Sequence, residues 1–294
     1  PFGLKAMESL QELNPNKGTA SNSQVMFLAL HASGLTLIPV TIIAFRSGLG
    51  AQNPTDIFIP CMIATFAATM AAMFIVSFKQ KINVFQPVIL AWVGGISALI
   101  TLLVLYVTKL NAQQAQSFSG VLSNGIILGI FFLIVLGGLY KKIDVFDAFV
   151  EGAKGGFETG VRIIPYIVGM LVAISMLRTS GTFDVIINGM KTLFAALGTD
   201  TRFVDGLPTA LIKPMSGSGA RGMMLDTMRT FGPDSFAGRL ACILQGSSDT
   251  TFYVIAVYFG SVGIKNTRYS VGAMLLADLV GIITSIILCY LFFG

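Results

Sequence analysis

The sequence predicts an all-α transmembrane protein of two inverted repeats, each built from a re-entrant hairpin, a broken helix and a full span. Three observations carry that expectation. Apolar residues make up 54% of the chain and charged residues 11%, with a mean hydropathy of +0.80, whereas soluble domains carry about 25% charged residues. Several apolar runs reach the ~20 residues needed to cross a hydrocarbon core of about 30 Å. Two stretches, Lys213 to Gly222 (KPMSGSGARG) and Gln245 to Thr251 (QGSSDTT), set glycine, serine and charge in the middle of apolar sequence. Broken helices of that kind are tolerated in a bilayer where the freed backbone is buried in protein or lines a watery cavity. The half-helix termini at a break are places where transporters hold ligands.

Taken in order, Phe2 to Leu13 is amphipathic, with Leu4, Met7, Leu10 and Leu13 at three-residue steps. It reads as a hairpin arm or an interfacial helix. The opening Pro1, with no Met and no turn before it, suggests an element that begins further upstream. Asn14 to Gly18 is a turn. Thr19 to Phe45 is long enough to span, but His31-Ala32-Ser33-Gly34 and Pro39 interrupt it. Pro54–Phe78, Phe85–Val107 and Phe118–Tyr140 are expected spans, closed by lysines. Asp144 to Phe157 reads as an amphipathic surface linker, and Gly160 to Leu177 as a span with Arg162 snorkelling at its start. Phe183 to Leu197 is amphipathic, with Val185, Ile186, Met190, Leu193 and Phe194 on one side. Leu207 to Thr230 is too polar to cross simply and reads as a re-entrant hairpin. Pro233-Asp234-Ser235 signals a helix start, Phe236 to Val262 is the second broken helix, and Tyr269 to Phe293 closes the chain as a span.

An internal repeat orders these elements. Laying His31 on Gln245, a shift of 214 residues (245 − 31), aligns Ser33 with Ser247, Thr36 with Thr250, Val40 with Val254 and Phe45 with Phe259. Pro15 pairs with Pro233 only if a four-residue gap is admitted. Lys79, Lys81, Lys141 and Lys142 on the cytoplasmic side would give the last span the opposite sense to Pro54–Phe78, which makes the repeat inverted. Arg178, Arg202 and Arg239 count against that orientation.

The expected solute-binding residues are Ser216, Gly217, Ser218, Gly219 and Arg221 at the hairpin, Gln245, Ser247, Ser248, Asp249 and Thr250 at the second break, and His31 and Ser33 at the first. Glycine lets backbone come close to a ligand, and a helix starting near Ala220 would aim its amides into the break. Asp249 is expected as a buried carboxylate that couples an ion or pairs with Arg221 or Lys213. Asp278, ionisable and mid-span, is the second ion-coupling candidate. No resident cofactor is expected; the coupling ion is Na+ or H+. A hydrolase using Ser218 and His31 lacks a third orienting group, so the chain is not expected to be an enzyme. Phe252, Tyr253 and Tyr258 suit aromatic packing, or stacking on a planar solute. Cys61, Cys242 and Cys289 have no CxxC spacing and read as packing residues. The charge of +5 sits between apolar spans, which points to topology control rather than nucleic-acid binding. The expected partners are the lipid bilayer and a small polar solute, with a homo-oligomer left open.

Lys213–Gly222 and Gln245–Lys265 (QGSSDTTFYVIAVYFGSVGIK) closely resemble the spore maturation protein B family. Pro1 to about Arg46, with GLKAM, LNPNKGTAS and LIPVTIIAFR, resembles the downstream part of spore maturation protein A. The chain is thus similar to a fusion of the two, lacking the first part of the A half, with repeats at 1–82 and 158–294 and linking helices at 83–157. The resemblance implies the nucleoside-recognition, or Gate, group, similar in plan to concentrative nucleoside transporters and to the membrane part of ferrous-iron transporter B. It implies a multi-pass protein of the bacterial inner membrane and, in spore formers, a part in dehydrating the spore core. Three functions follow: a transporter or channel for a small polar solute such as a nucleoside, a scaffold recruiting envelope or spore proteins, or a metal transporter using Cys242. One departure stands out, because the A family carries a small polar residue where this chain has His31.

Overall fold

The computed structural model describes residues 2–34, 36, 39–84, 86–107, 109–110, 112–154 and 179–294, together with 157, 168–169, 172 and 175–176. Among the described residues the chain is helical, with a single isolated parallel bridge between Thr19 and Asn266. The helices are α1 (Phe2–Glu12), α2 (Asn22–Ala32), α3 (Val40–Gly48), α4 (Phe58–Gln80), α5 (Pro87–Val107), α6 (Ala112–Tyr140), α7 (Thr182–Ala196), α8 (Leu207–Ile212), α9 (Gly217–Phe231), α10 (Phe236–Gly246), α11 (Thr251–Ser261) and α12 (Ser270–Phe293). A 3₁₀ turn, Arg202–Gly206, leads into α8.

Two half-helices start on serine caps. Ser21 Oγ accepts from the Gln24 backbone N–H, and the Gln24 side chain accepts from the Ser21 N–H in return, which satisfies two amides that have no partner inside the helix. Ser235 Oγ accepts from the Gly238 N–H at the head of α10. Ser21 and Ser235 stand at the same 214-residue shift as the two breaks, without the four-residue gap that would pair Pro15 with Pro233. The caps match; the prolines do not, since Pro15 lies six residues before its cap and Pro233 two.

The centre is the pair α4 and α12, the most extensive helix contact in the chain. They approach closely because Gly281 faces Ala68; a Cβ at Gly281 would sit 3.3 Å from that methyl. Small residues at a crossing let membrane helices pack backbone to backbone, where lipid offers no hydrophobic drive between them. At one end of the pair, Gln80 Nε2 donates to the Asn22 carbonyl and Arg268 Nη1 to Asn22 Oδ1. At the other, Asp56 binds Arg239, whose guanidinium lies 4.8 Å over the Phe293 ring. The two helices therefore run antiparallel. One apolar core joins α10 to the start of α4 and the end of α12 through Phe58, Leu240, Leu244, Leu288 and Phe292. The other joins α2 and α11 to the end of α4 and the start of α12 through Leu28, Val76, Phe259 and Met274.

A buried charge cluster pins one end. Arg46, fully buried, gives Nη2 to Asp56 Oδ1 at 2.9 Å and to Asp234 Oδ1 at 3.1 Å. It also donates to the backbone carbonyls of Asn53, Pro54 and Pro233. Arg239 Nε completes the set on Asp56 Oδ2 at 2.9 Å. Burial pushes the Asp56 carboxyl up from its ordinary value, against the pull of the two guanidinium groups. Arg239 is thus an internal structural charge and not a topology marker. The same contacts hold residues 54–57 in a turn, so the span expected from Pro54 begins at Phe58.

Among the described residues four stretches are long and apolar enough to cross a membrane: Phe58–Gln80, Gly120–Tyr140, the broken Phe236–Ser261, and Ser270–Phe293. Half of the first is buried against only 6% of Gly120–Tyr140, which places α6 at the lipid-facing periphery. Residues 145–154 form an exposed helix carrying Phe146 and Phe149, as an interfacial linker requires. The expected span Gly160–Leu177, with Arg162, lies almost wholly outside the described residues. In α7 the inward face differs from the expected one. Ile187 is buried and Phe194 packs on Phe203, whereas Val185, Ile186 and Leu193 point outward. That helix is apolar on more than one side, so its periodicity does not select a face.

Candidate functional site

Both broken helices stop where their apolar runs give way to glycine and hydroxyl residues, and each stop is satisfied by the other break. The Asp249 N–H donates to the Ala32 carbonyl, the last of α2, at 2.7 Å. In return Thr36 Oγ1 donates to the Gly246 carbonyl, the last of α10, at 3.3 Å. Ala32 and Gly246 are equivalent under the 214-residue shift. Carbonyls at a helix end have no partner within the helix, so the crossing is a mutual cap.

The hairpin docks on this crossing. The Phe252 N–H, in the first turn of α11, donates to the Pro214 carbonyl at 3.0 Å, and Lys213 Nζ donates to the Gln245 carbonyl. A Cβ at Gly217 would lie 2.6 Å from Thr250 Oγ1, so glycine is required for the close approach. Ser216 caps α9, its Oγ accepting from the Gly219 N–H at 3.0 Å and lying 3.3 Å from Ser218 Oγ.

One cavity of about 340 Å³ opens between the three elements. His31, Gly34, Thr36 and Thr41 line it from the first broken helix, Lys213 and Arg221 from the hairpin, and Gln245, Gly246, Ser248 and Asp249 from the second break. Arg221 is half-buried and makes no hydrogen bond or ion pair among the described residues. Gln245 Oε1 is buried without a partner among the described residues. His31 Nε2 lies 2.7 Å from Tyr258 OH, and Phe27 stacks on the imidazole.

The expected residues thus divide. His31, Arg221, Gln245, Ser248 and Asp249 meet in the cavity. Ser33 and Ser247 turn their hydroxyls back onto the carbonyls of Ala29 and Leu244, and Ser216, Gly217, Ser218, Gly219 and Thr250 build the turn and the helix starts instead of lining the space. Asp249 is exposed to the cavity, not buried, and forms no ion pair with Arg221 or Lys213; its Oδ1 accepts from the Thr250 N–H at 2.9 Å. The buried carboxyl is Asp278, whose Oδ2 accepts from Thr251 Oγ1 at 2.5 Å. Thr36 and Thr41 are additions. A hydroxyl just after a break is the signal that finds Thr36, since its repeat mate Thr250 was legible. Tyr258 closes on His31 while Phe252 and Tyr253 face outward. Ser218 and His31 each pair elsewhere, with Ser216 and Tyr258. The three cysteines are buried in the packing and none lines the cavity, Cys242 Sγ lying against Met228 Sδ at 3.4 Å and Cys61 behind Gly246.

A family model described as "Gate: Nucleoside recognition" matches residues 160–265. The chain is 50% identical over 161 residues to spore maturation protein B of Bacillus subtilis (strain 168), covering 55% of this chain and 89% of that protein. Over 75 residues it is 44% identical to spore maturation protein A of the same strain, covering 26% of this chain and 38% of that relative. No solved structure matches the chain.

Proposed function

The chain belongs to the spore maturation protein B family and carries a further stretch similar to spore maturation protein A, and from that premise we propose that it is a transporter or channel of the bacterial inner membrane for a small polar solute. The observation that carries this reading is the cavity in which three separate interruptions of apolar sequence converge. Its volume of about 340 Å³ lies at the small end of the range for ligand sites, about 300–1,000 Å³. An unpaired guanidinium, an exposed carboxylate and an orphaned amide oxygen inside lipid-facing walls are costly unless something polar visits them. Nucleosides are the first class to test, on the description of the matching family model.

The repeats are inverted in this reading, with the α8–α9 hairpin entering and leaving on one side. Its support is reciprocity. The Ala20 N–H donates to the Asn266 carbonyl at 3.0 Å, and at the shifted positions the Gln52 N–H donates to Asp234 Oδ2 at 2.8 Å. The loop of each copy grips the helix start of the other, at opposite ends of the antiparallel α4–α12 pair.

Uptake of labelled uridine and adenosine into proteoliposomes of the full chain tests the function. Arg221→Ala is expected to cut uptake about 10- to 100-fold, the worth of a hydrogen bond to a charged group, at unchanged reconstitution. Absence of flux for nucleosides and other small polar solutes, from folded protein, would leave a scaffold instead.

A further inference from the structure

Lys213 closes the turn between α8 and α9 and is 5% exposed. Its ammonium donates to the Gln245 carbonyl in the last turn of α10. That end of a helix carries partial negative charge, and in broken-helix transporters such C-terminal ends and unwound carbonyls are where Na+ or H+ is held. Behind it, Pro214, Ser247, Ser248 and Asp278 gather with the apolar Ala210, Leu244 and Ile282 and leave no water-sized space. Asp249 and Asp278 both act electrostatically on the ammonium, with Arg221 as the opposing cation. A buried ammonium is tolerated only where it is paired, and here the carbonyl at a helix end is its partner, with Asp249 and Asp278 as nearby opposite charges outside ion-pair contact.

We propose that Lys213 is the resident cation of this site, standing at the end of α10 where a sodium ion would otherwise bind. By formal charge Lys213 and Arg221 match Asp249 and Asp278 around the breaks, so the site needs no exchangeable Na+ to complete it and suits a solute with no net charge. The inference rests on the transport reading for its meaning, but its readout needs no flux.

The experiment follows the melting temperature of the purified full chain over a NaCl series against choline chloride at equal ionic strength. The unmodified protein and Lys213→Arg are expected to respond equally to the two salts. Lys213→Met, which keeps the stem and removes the charge, is expected to gain a sodium-specific rise of about 5 °C, what a single ligand well above its Kd gives. A sodium-specific rise in the unmodified protein overturns the proposal, as does a folded Lys213→Met that stays indifferent. Should Lys213→Met not fold, equilibrium binding of ²²Na+ to the unmodified chain decides the matter, and saturable binding sinks it. A protein that moves no solute yet ignores sodium refutes the transport reading alone.

Discussion

Arg46, in the last turn of α3, is fully buried, with five hydrogen bonds from its guanidinium. Removing one partner from such a pair leaves the other buried and uncompensated, at a cost of about 3–5 kcal/mol. Arg46→Ala is therefore expected to lower the thermal stability of the purified protein severely, whereas Arg229→Ala, on the exposed end of α9, leaves it unchanged. Equal melting temperatures for the two would disprove the structural role of the cluster. Sequence alone did not reveal this set, because Arg46 and Asp234 meet across 188 residues and nothing local marks the pair. The polar breaks, by contrast, announced His31, Arg221, Gln245, Ser248 and Asp249, since each residue there departs from the apolar background. What stayed hidden was direction: Ser33 and Ser247 look as available as Ser248 until the helix carbonyls claim their hydroxyls.

Among the elements, the breaks were the most legible, because glycine and serine runs end helices and serines three residues ahead of a donor start them. Which surfaces those half-helices present depends on partners far along the chain. Gly246 is an example: a Cβ there would lie 2.9 Å from Cys61 Sγ and 3.3 Å from Ile42 Cδ1. Gly246→Ala is expected to destabilise the fold by about 1–3 kcal/mol through overpacking, and adding Cys61→Ala should restore most of that loss. Thermal unfolding of the single and double variants reads the outcome, and a double variant no better than the single refutes the contact. The inward face of α7 was misjudged for the complementary reason. With apolar residues on more than one side, its wheel offers several faces, and contacts with the 3₁₀ turn, Phe194 on Phe203 and Lys191 with Asp205, select one.

For the whole molecule, the all-helical class and its apolar spans were readable from the sequence, while the placement of α5 and α6 was not. They pack through a few residues, Ile100, Leu103, Phe118, Leu122 and Ile126, while most of their described large apolar side chains are exposed, so apolarity alone does not mark the packed face. The proposed inversion makes its own prediction. With the buried Cys61, Cys242 and Cys289 replaced by serine or alanine, Gln52→Cys and Asn266→Cys, both on exposed loops, should react with a membrane-impermeant maleimide from opposite faces of sealed vesicles. Labelling of both from the same face would refute the inversion. The hydrogen bonds from Asp249 to Ala32 and from Thr36 to Gly246 then have a mechanical result. Neither broken helix can swing without uncapping its twin, so any opening must be a concerted movement of both copies, and damage to one half will be felt as stiffness or leakage in the other.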